Sequence, residues 1–261
     1  MRSIAIASGK GGVGKTSLAI NLGIVLSQMG KRTIVVDADV SMANVGLMLG
    51  IERAPISLHN VLMGETNIKD AIYEGPYKMK YVPSSLSTER IKKLVMERLK
   101  PGVSELELLA DYVLIDCSPG LNRESEAVML SAKEMIIVLT PDTSSLANAM
   151  KIANFARKNG VGLLGVAVNK VLGDKSDIKK DEIETMLATK VIASIPEDLE
   201  MRRATALQVP LMVKSPFSPS ARAIRFLAAY LTGEKIQEGE TRVKKGFLQN
   251  IMAAIGRIFG R

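Results

Sequence analysis

Short runs of consecutive apolar and β-branched residues recur along the chain: Ile4-Ala5-Ile6-Ala7, Thr33-Ile34-Val35-Val36, Tyr112-Val113-Leu114-Ile115, Met135 to Leu139, Val161 to Val168 and Val191 to Ile195. A run that is apolar at nearly every position, rather than every second one, has both faces covered, as in the interior of a parallel sheet. Stretches with helical periodicity lie between or after these runs, at Ser17 to Met29, Ser145 to Lys158, Lys179 to Leu187 and Ser220 to Leu231. The alternation predicts an α/β protein with a mostly parallel sheet covered by helices on both faces. Residues 54–110 are less regular. His59 to Met63 and Ile68 to Ile72 read as short helices, Lys80-Tyr81-Val82 as a strand, and Thr88 to Leu99 as an amphipathic helix stopped by Pro101-Gly102. Beyond Leu231 the pattern turns polar, so 1–231 reads as one domain, 232–243 as a linker and 244–261 as a separate tail.

The segment Gly9-Lys10-Gly11-Gly12-Val13-Gly14-Lys15-Thr16-Ser17 directly follows the first apolar run and opens the first helix. Its GxxxxGK[ST] spacing is that of a phosphate-binding loop. Glycines let the backbone approach an anion, Lys15 reaches the β and γ phosphates, and the Thr16 hydroxyl holds Mg²⁺. The free N–H groups and the dipole of the helix N-terminus point at the same phosphates. Gly11, Gly12, Val13, Gly14, Lys15, Thr16 and Ser17 are therefore the expected phosphate cradle, ATP and Mg²⁺ the expected ligands, and a P-loop nucleotide hydrolase the expected fold. Ligands of open α/β sheets bind beyond the carboxyl ends of the strands, where Asp37, Asp39 and Asp116 stand. These three are candidate magnesium and water-positioning groups, although a lone aspartate there also serves as a helix N-cap.

The additional Lys10 makes the loop Lys-Gly-Gly-Val-Gly-Lys-Thr, which resembles the MinD/ParA deviant-Walker ATPases. In that family the early lysine crosses to the nucleotide of a second subunit, so the resemblance implies an ATP-bridged homodimer with Lys10, Lys15 and Asp39 as catalytic groups. Asp37-Ala38-Asp39 resembles the first switch, whose second aspartate orients the attacking water, and Asp116 resembles the aspartate that holds Mg²⁺ through a water. Asn44 matches an asparagine at the dimer interface, and Pro141 to Ser145 a partner-binding segment. The second switch departs from the pattern: the family usually reads Asp-x-Pro-x-Gly, whereas here the order is Asp116-Cys117-Ser118-Pro119-Gly120. Because proline fixes φ and restricts its predecessor, the shift alters the loop. Val168-Asn169-Lys170 and Ile195-Pro196-Glu197-Asp198 follow successive strands and are the candidates for the adenine side, with Asn169, Pro196, Glu197 and Asp198 as contacts. The same residue types also suit ordinary turns.

The 261 residues carry 35 Lys and Arg against 27 Asp and Glu, a formal charge of +8, which favours an acidic partner without choosing between DNA and anionic lipid. One cysteine and one histidine, Cys117 and His59, build neither a disulfide framework nor a metal site. No signal peptide and no membrane-spanning run is apparent, so a cytoplasmic chain is expected. In the tail, Phe247, Leu248, Ile251, Met252, Ile255, Ile258 and Phe259 share one helical face, and no acidic residue follows Glu240. A basic amphipathic helix with bulky apolar residues lies in a bilayer interface. Packing on the core or on a protein partner is the alternative. Lys245-Gly246-Phe247-Leu248 also resembles the start of the family's membrane-targeting tail. The combined expectation is a MinD-like ATPase, dimeric with ATP, peripheral on the inner face of the cell membrane, with a protein partner or activator of unknown identity. The alternatives are a partition ATPase holding DNA, which the tail disfavours, and an ATP-gated placement factor for a surface appendage.

Overall fold

The computed structural model describes residues 1–51, 54–85 and 94–234. The expected tail helix, most of the expected linker and part of the expected helix at Thr88 to Leu99 lie outside them.

The apolar runs form strands β1 (Arg2–Ala7), β2 (Thr33–Asp37), β4 (Lys80–Val82), β5 (Tyr112–Asp116), β6 (Glu134–Leu139), β7 (Gly162–Val171) and β8 (Val191–Pro196). With the two-residue β3 (Tyr73–Glu74) they make an eight-stranded sheet in the order β3-β4-β2-β5-β1-β6-β7-β8. Every pairing is parallel except that of β3 with β4 at the edge. The expected fold class is therefore the observed one. β1 lies at the centre, between β5 and β6, so the chain leaving it enters the crevice where loops diverge to opposite faces.

Side chains alternate across the strands. Ala5, Ala7, Ile34, Val36, Val113 and Ile115 join one buried cluster, and Ile4, Ile6, Val35 and Leu114 join another. The first is covered by α3 (Leu58–Met63), α4 (Leu99–Glu107), α5 (Arg123–Ser131), α6 (Thr143–Lys158) and α7 (Lys180–Leu187). The second is covered by α1 (Lys15–Gln28), α9 (Leu211–Lys214) and α10 (Pro219–Thr232), while α2 (Val45–Met48) and α8 (Leu199–Ala206) stand at the carboxyl edge. Ten residues of α1 are buried, so this helix is enclosed rather than amphipathic. Its buried Asn21 donates to Ser17 O (2.7 Å) and accepts from Met212 N–H (2.9 Å), joining α1 to α9 through an amide whose nitrogen and oxygen both have partners.

One expected element is corrected. A helix does not stop at Pro101-Gly102; α4 runs through both, preceded by a single 3₁₀ turn at Met96–Arg98. Proline is tolerated in a first turn because the N–H it lacks has no intrahelical acceptor there. Gly102 is a packing site rather than a breaker, since a Cβ would sit 2.9 Å from Ile68 Cδ1.

Candidate nucleotide site

The loop between β1 and α1 is held by close backbone approaches that only glycine allows. Gly14 has φ 96°, in the left-handed region, and a Cβ there would run into the Asn169 amide. At Gly9 a Cβ would lie 2.5 Å from the Asn148 backbone, which brings the loop against α6. Gly14 is also the N-cap of α1 and supplies no side-chain cap. The first N–H groups of a 14-residue helix are thus left for an external anion. Lys15 is buried beside them, 7 % exposed.

β2 and β5 are neighbours in register, with Asp37 opposite Asp116. Both carboxylates are buried at the strand ends. Asp37 Oδ2 accepts the Asn44 and Val45 N–H groups at 3.0 Å each. Asp116 Oδ2 accepts the Thr16 hydroxyl at 2.5 Å. The remaining oxygens, Asp37 Oδ1 and Asp116 Oδ1, are buried without a partner. Burial raises the Asp116 carboxyl to about 7, with the Asp39 charge adding to the rise and the Thr16 hydrogen bond and Lys15 opposing it. Burial followed by the neighbouring Asp116 charge pushes Asp37 well up, against the pull of its two N–H donors. Burial likewise pushes the Cys117 thiol up, and the protonated thiol is no nucleophile.

Two orphaned carboxylate oxygens beside a threonine hydroxyl are what a hard cation needs, so these residues fit Mg²⁺. Among the described residues no group of three or more His, Cys, Asp or Glu could cage a metal by protein alone. That matches Mg²⁺ in nucleotide sites, which takes one or two carboxylates and completes its shell with phosphates and waters. When bound, the cation neutralises developing phosphate charge. Thr16 and Asp116 would hold it, with Asp37 opposite Asp116 on the neighbouring strand. Asp39 has its own partners: its Oδ1 accepts from Met42 N–H and from the Ser118 hydroxyl, each at 3.1 Å.

The chain matches the AAA domain family over residues 1–160. It is 38 % identical to an uncharacterized ATP-binding protein of Methanocaldococcus jannaschii, across 99 % of this chain and 97 % of that one. Its fold superposes on the cell division ATPase MinD of Pyrococcus furiosus with a TM-score of 0.85 and 34 % identity, covering 89 % of this chain and 98 % of that one. The septum site-determining protein MinD of Pyrococcus horikoshii, complexed with Mg-ADP, gives 0.84 and 34 %, covering 88 % and 95 %. The chain belongs to the MinD/ParA family of P-loop ATPases. ATP and Mg²⁺ are its ligands, and the nucleotide is hydrolysed.

Within this MinD/ParA ATPase the remaining sequence-derived residues fall in distinct places. Gly11, Gly12, Val13 and Ser17 complete the loop and the first turn of α1. Lys10 is exposed, and its ammonium lies 3.6 Å from Asp142, the N-cap of α6. Asn44 begins α2 and donates from its side chain to Met42 O at 2.6 Å.

The residues expected at the adenine side are less uniform. Asn169 is inside β7, which continues to Val171, and its amide donates to Val13 O at 2.7 Å. Lys170 donates to Gly12 O at 2.9 Å. This strand end therefore braces the phosphate loop. Asp198 caps α8 through Glu200 N–H (2.9 Å) and also accepts Ser220 N–H (3.1 Å). Both its oxygens are held by backbone, so its geometry is that of a cap. Glu197 N–H donates to Val171 O at 2.9 Å, and Pro196 O accepts the Ser220 hydroxyl at 2.9 Å. The Pro196–Asp198 turn is thereby fixed against β7 and α10. The loop-bracing Lys170 and the Ser118 contact to Asp39 were not anticipated from the sequence. The one signal for Ser118 was its place in the altered second switch.

Proposed function

We propose that ATP drives this chain into a homodimer, that dimerisation drives attachment to an anionic membrane surface through the tail from Phe247 to Phe259, and that hydrolysis reverses both. The machinery positioned in this way is a cell-division apparatus or another spatially organised assembly. Lys10 is the observation that carries the reading. A lysine in the phosphate loop whose side chain is exposed and points to Asp142 is available to the phosphates of a facing subunit. Lys15 and the loop amides would stabilise phosphate charge within the subunit, and Asp39 would orient the attacking water. Asn169 and the Pro196-Glu197-Asp198 turn would flank the base, their hydrogen bonds to the loop, β7 and α10 setting the width of that side. Among the described residues no helix is long and apolar enough to cross a membrane, so attachment would rest on the tail.

Cosedimentation tests the reading. With ATP the protein should pellet with anionic liposomes, and with ADP much less. Plasmid DNA should retain it weakly under both nucleotides, with an affinity that falls steeply as salt rises. Retention on DNA with ATP and none on lipid would replace the proposal by a partition ATPase.

Asp39→Ala separates chemistry from folding. Losing a water-positioning carboxylate should lower turnover by about 10²-fold or more while ATP affinity is kept, which accumulates the ATP-bound dimer. Asp39 also accepts the Met42 N–H as a turn cap would. If that were its whole role, the substitution would cost roughly 0.5–2 kcal/mol of stability and leave turnover per folded molecule unchanged. Melting temperature, ATP affinity and turnover measured together decide.

A further inference from the structure

The altered second switch carries a hydroxyl that touches the first. The chain reads Asp116-Cys117-Ser118-Pro119-Gly120, which sets Ser118 directly before the proline. Ser118 is buried, 4 % exposed, and its hydroxyl donates to Asp39 Oδ1 at 3.1 Å. The backbones on both sides of this contact are anchored. Cys117 N–H donates to Ile6 O (3.2 Å) and Gly120 N–H to Ser8 O (2.8 Å), which ties the second switch to β1 and to the start of the phosphate loop. Ala38 N–H donates to Asp116 O (3.0 Å), which ties the first switch to the second. Pro119 fixes its own φ, confines Ser118 to extended conformations, and places its ring 3.9 Å from where a Cβ on Gly11 would project. Ser118 thus sits between two anchored backbone positions, Cys117 and Gly120.

From this contact we infer that Ser118 is a positioning residue for hydrolysis, holding the Asp39 carboxylate in the orientation in which it receives the attacking water. The inference rests on the water-orienting role proposed for Asp39. A carboxylate on a single backbone N–H can still rotate about its Cβ–Cγ bond; a second donor on the same oxygen removes that freedom. With Oδ1 held by Met42 N–H and Ser118 Oγ, Oδ2 is the oxygen left to accept from water. Another contact nearby runs from the Ser41 hydroxyl, beyond the first switch, to Glu124 Oε2 in α5 at 3.0 Å. It is exposed, so water competes with it. The buried Ser118 contact meets no such competition and is the one that sets Asp39.

Turnover, ATP affinity and melting temperature should be measured on the full chain for Ser118→Ala, Ser118→Thr, Asp39→Ala and the Asp39→Ala, Ser118→Ala double variant. Ser118→Ala should lower kcat about tenfold, the worth of one positioning hydrogen bond, with ATP affinity unchanged. Ser118→Thr, which keeps the hydroxyl, should recover most of it. The double variant should be no slower than Asp39→Ala alone, because a group that acts through Asp39 has nothing to position once Asp39 is gone. Unchanged kcat in Ser118→Ala beside a slow Asp39→Ala overturns the role of Ser118 and leaves that of Asp39 standing. Losses that multiply in the double variant overturn it as well. Wild-type turnover in Asp39→Ala overturns the reading of Asp39, and the role of Ser118 with it. Should Ser118→Ala melt too low to assay, Ser118→Cys fills the site with a somewhat larger side chain and only a weak donor, and the same fall in kcat is expected.

Discussion

Lys15→Ala is expected to abolish measurable ATP binding, whereas Lys10→Ala keeps ATP affinity and loses the ATP-dependent doubling of mass. The two lysines belong to one loop but to different electrostatic environments. Lys15 is buried at the first turn of α1, and its charge opposes the upward shift of the Asp116 carboxyl. Without it a triphosphate would enter a site holding Asp37, Asp39 and Asp116 with no buried cation to offset them. Removing one partner of a buried charge constellation costs about 3–5 kcal/mol, which is two to three orders of magnitude or more in affinity. Lys10 is half-exposed, and its 3.6 Å contact with Asp142 is a surface ion pair. Such pairs contribute at most about 1 kcal/mol, so Lys10→Ala should melt close to the wild type. Calorimetric titration with a non-hydrolysable ATP analogue, followed by light scattering on the same samples, gives both quantities. A Lys10→Ala protein that still doubles in mass would remove Lys10 from the dimer interface.

Replacing Ile251 and Ile255 together by Glu is expected to release the ATP form from anionic liposomes while ATP binding and dimerisation persist. As a helix, the thirteen residues from Phe247 to Phe259 would span about 20 Å. One element of that size, burying half its surface at a bilayer interface, binds weakly and reversibly. Two tethered to one dimer differ, because insertion of the first holds the second at high effective concentration. The gain in avidity is roughly 10²–10⁴-fold without any new contact. Lys244, Lys245, Arg257 and Arg261 add about 1 kcal/mol each near an anionic surface, so neutral lipid should bind far less. Two glutamates on the apolar face remove buried area and add repulsion from the lipid. Equal binding of the ADP and ATP forms would refute the switch. Undiminished binding of the double variant would refute the tail as the anchor.

The first expectation starts from a stretch whose meaning is local, and there the sequence by itself was sufficient to point to the fold and to a nucleotide. The loop from Gly9 to Ser17 is contiguous, and its GxxxxGK[ST] spacing can be read without knowing any distant contact. Strands buried on both faces need apolar side chains at nearly every position, so β1, β2, β5 and β6 were legible as runs, and their alternation with helices specified a parallel sheet. Asp37 and Asp116 could be placed at strand ends for the same reason.

Tertiary structure decided whatever depends on residues distant in sequence. That Asp37 stands opposite Asp116 follows from β5 inserting between β1 and β2, and strand order is a property of packing. The mutual proximity and burial of those carboxyls, and with them the raised pKa values, follow from that order. Pro101 reads as a stop until the N-terminus of α4 is known, because a missing N–H is costly only beyond the first turn. The edge strand β3 and the four-residue helices α2 and α9 are too short for periodicity to register. That the hydrogen bonds of Asn169 go to the phosphate loop, and those of Asp198 to the α8 and α10 backbones, could not be read from their positions after strands. A side-chain amide or carboxylate has several possible partners, and only the folded chain selects among them. Ser118 was visible as part of a departure in the second switch, but that its hydroxyl reaches Asp39, 79 positions earlier, follows only from the close approach of two loops that the sheet holds side by side.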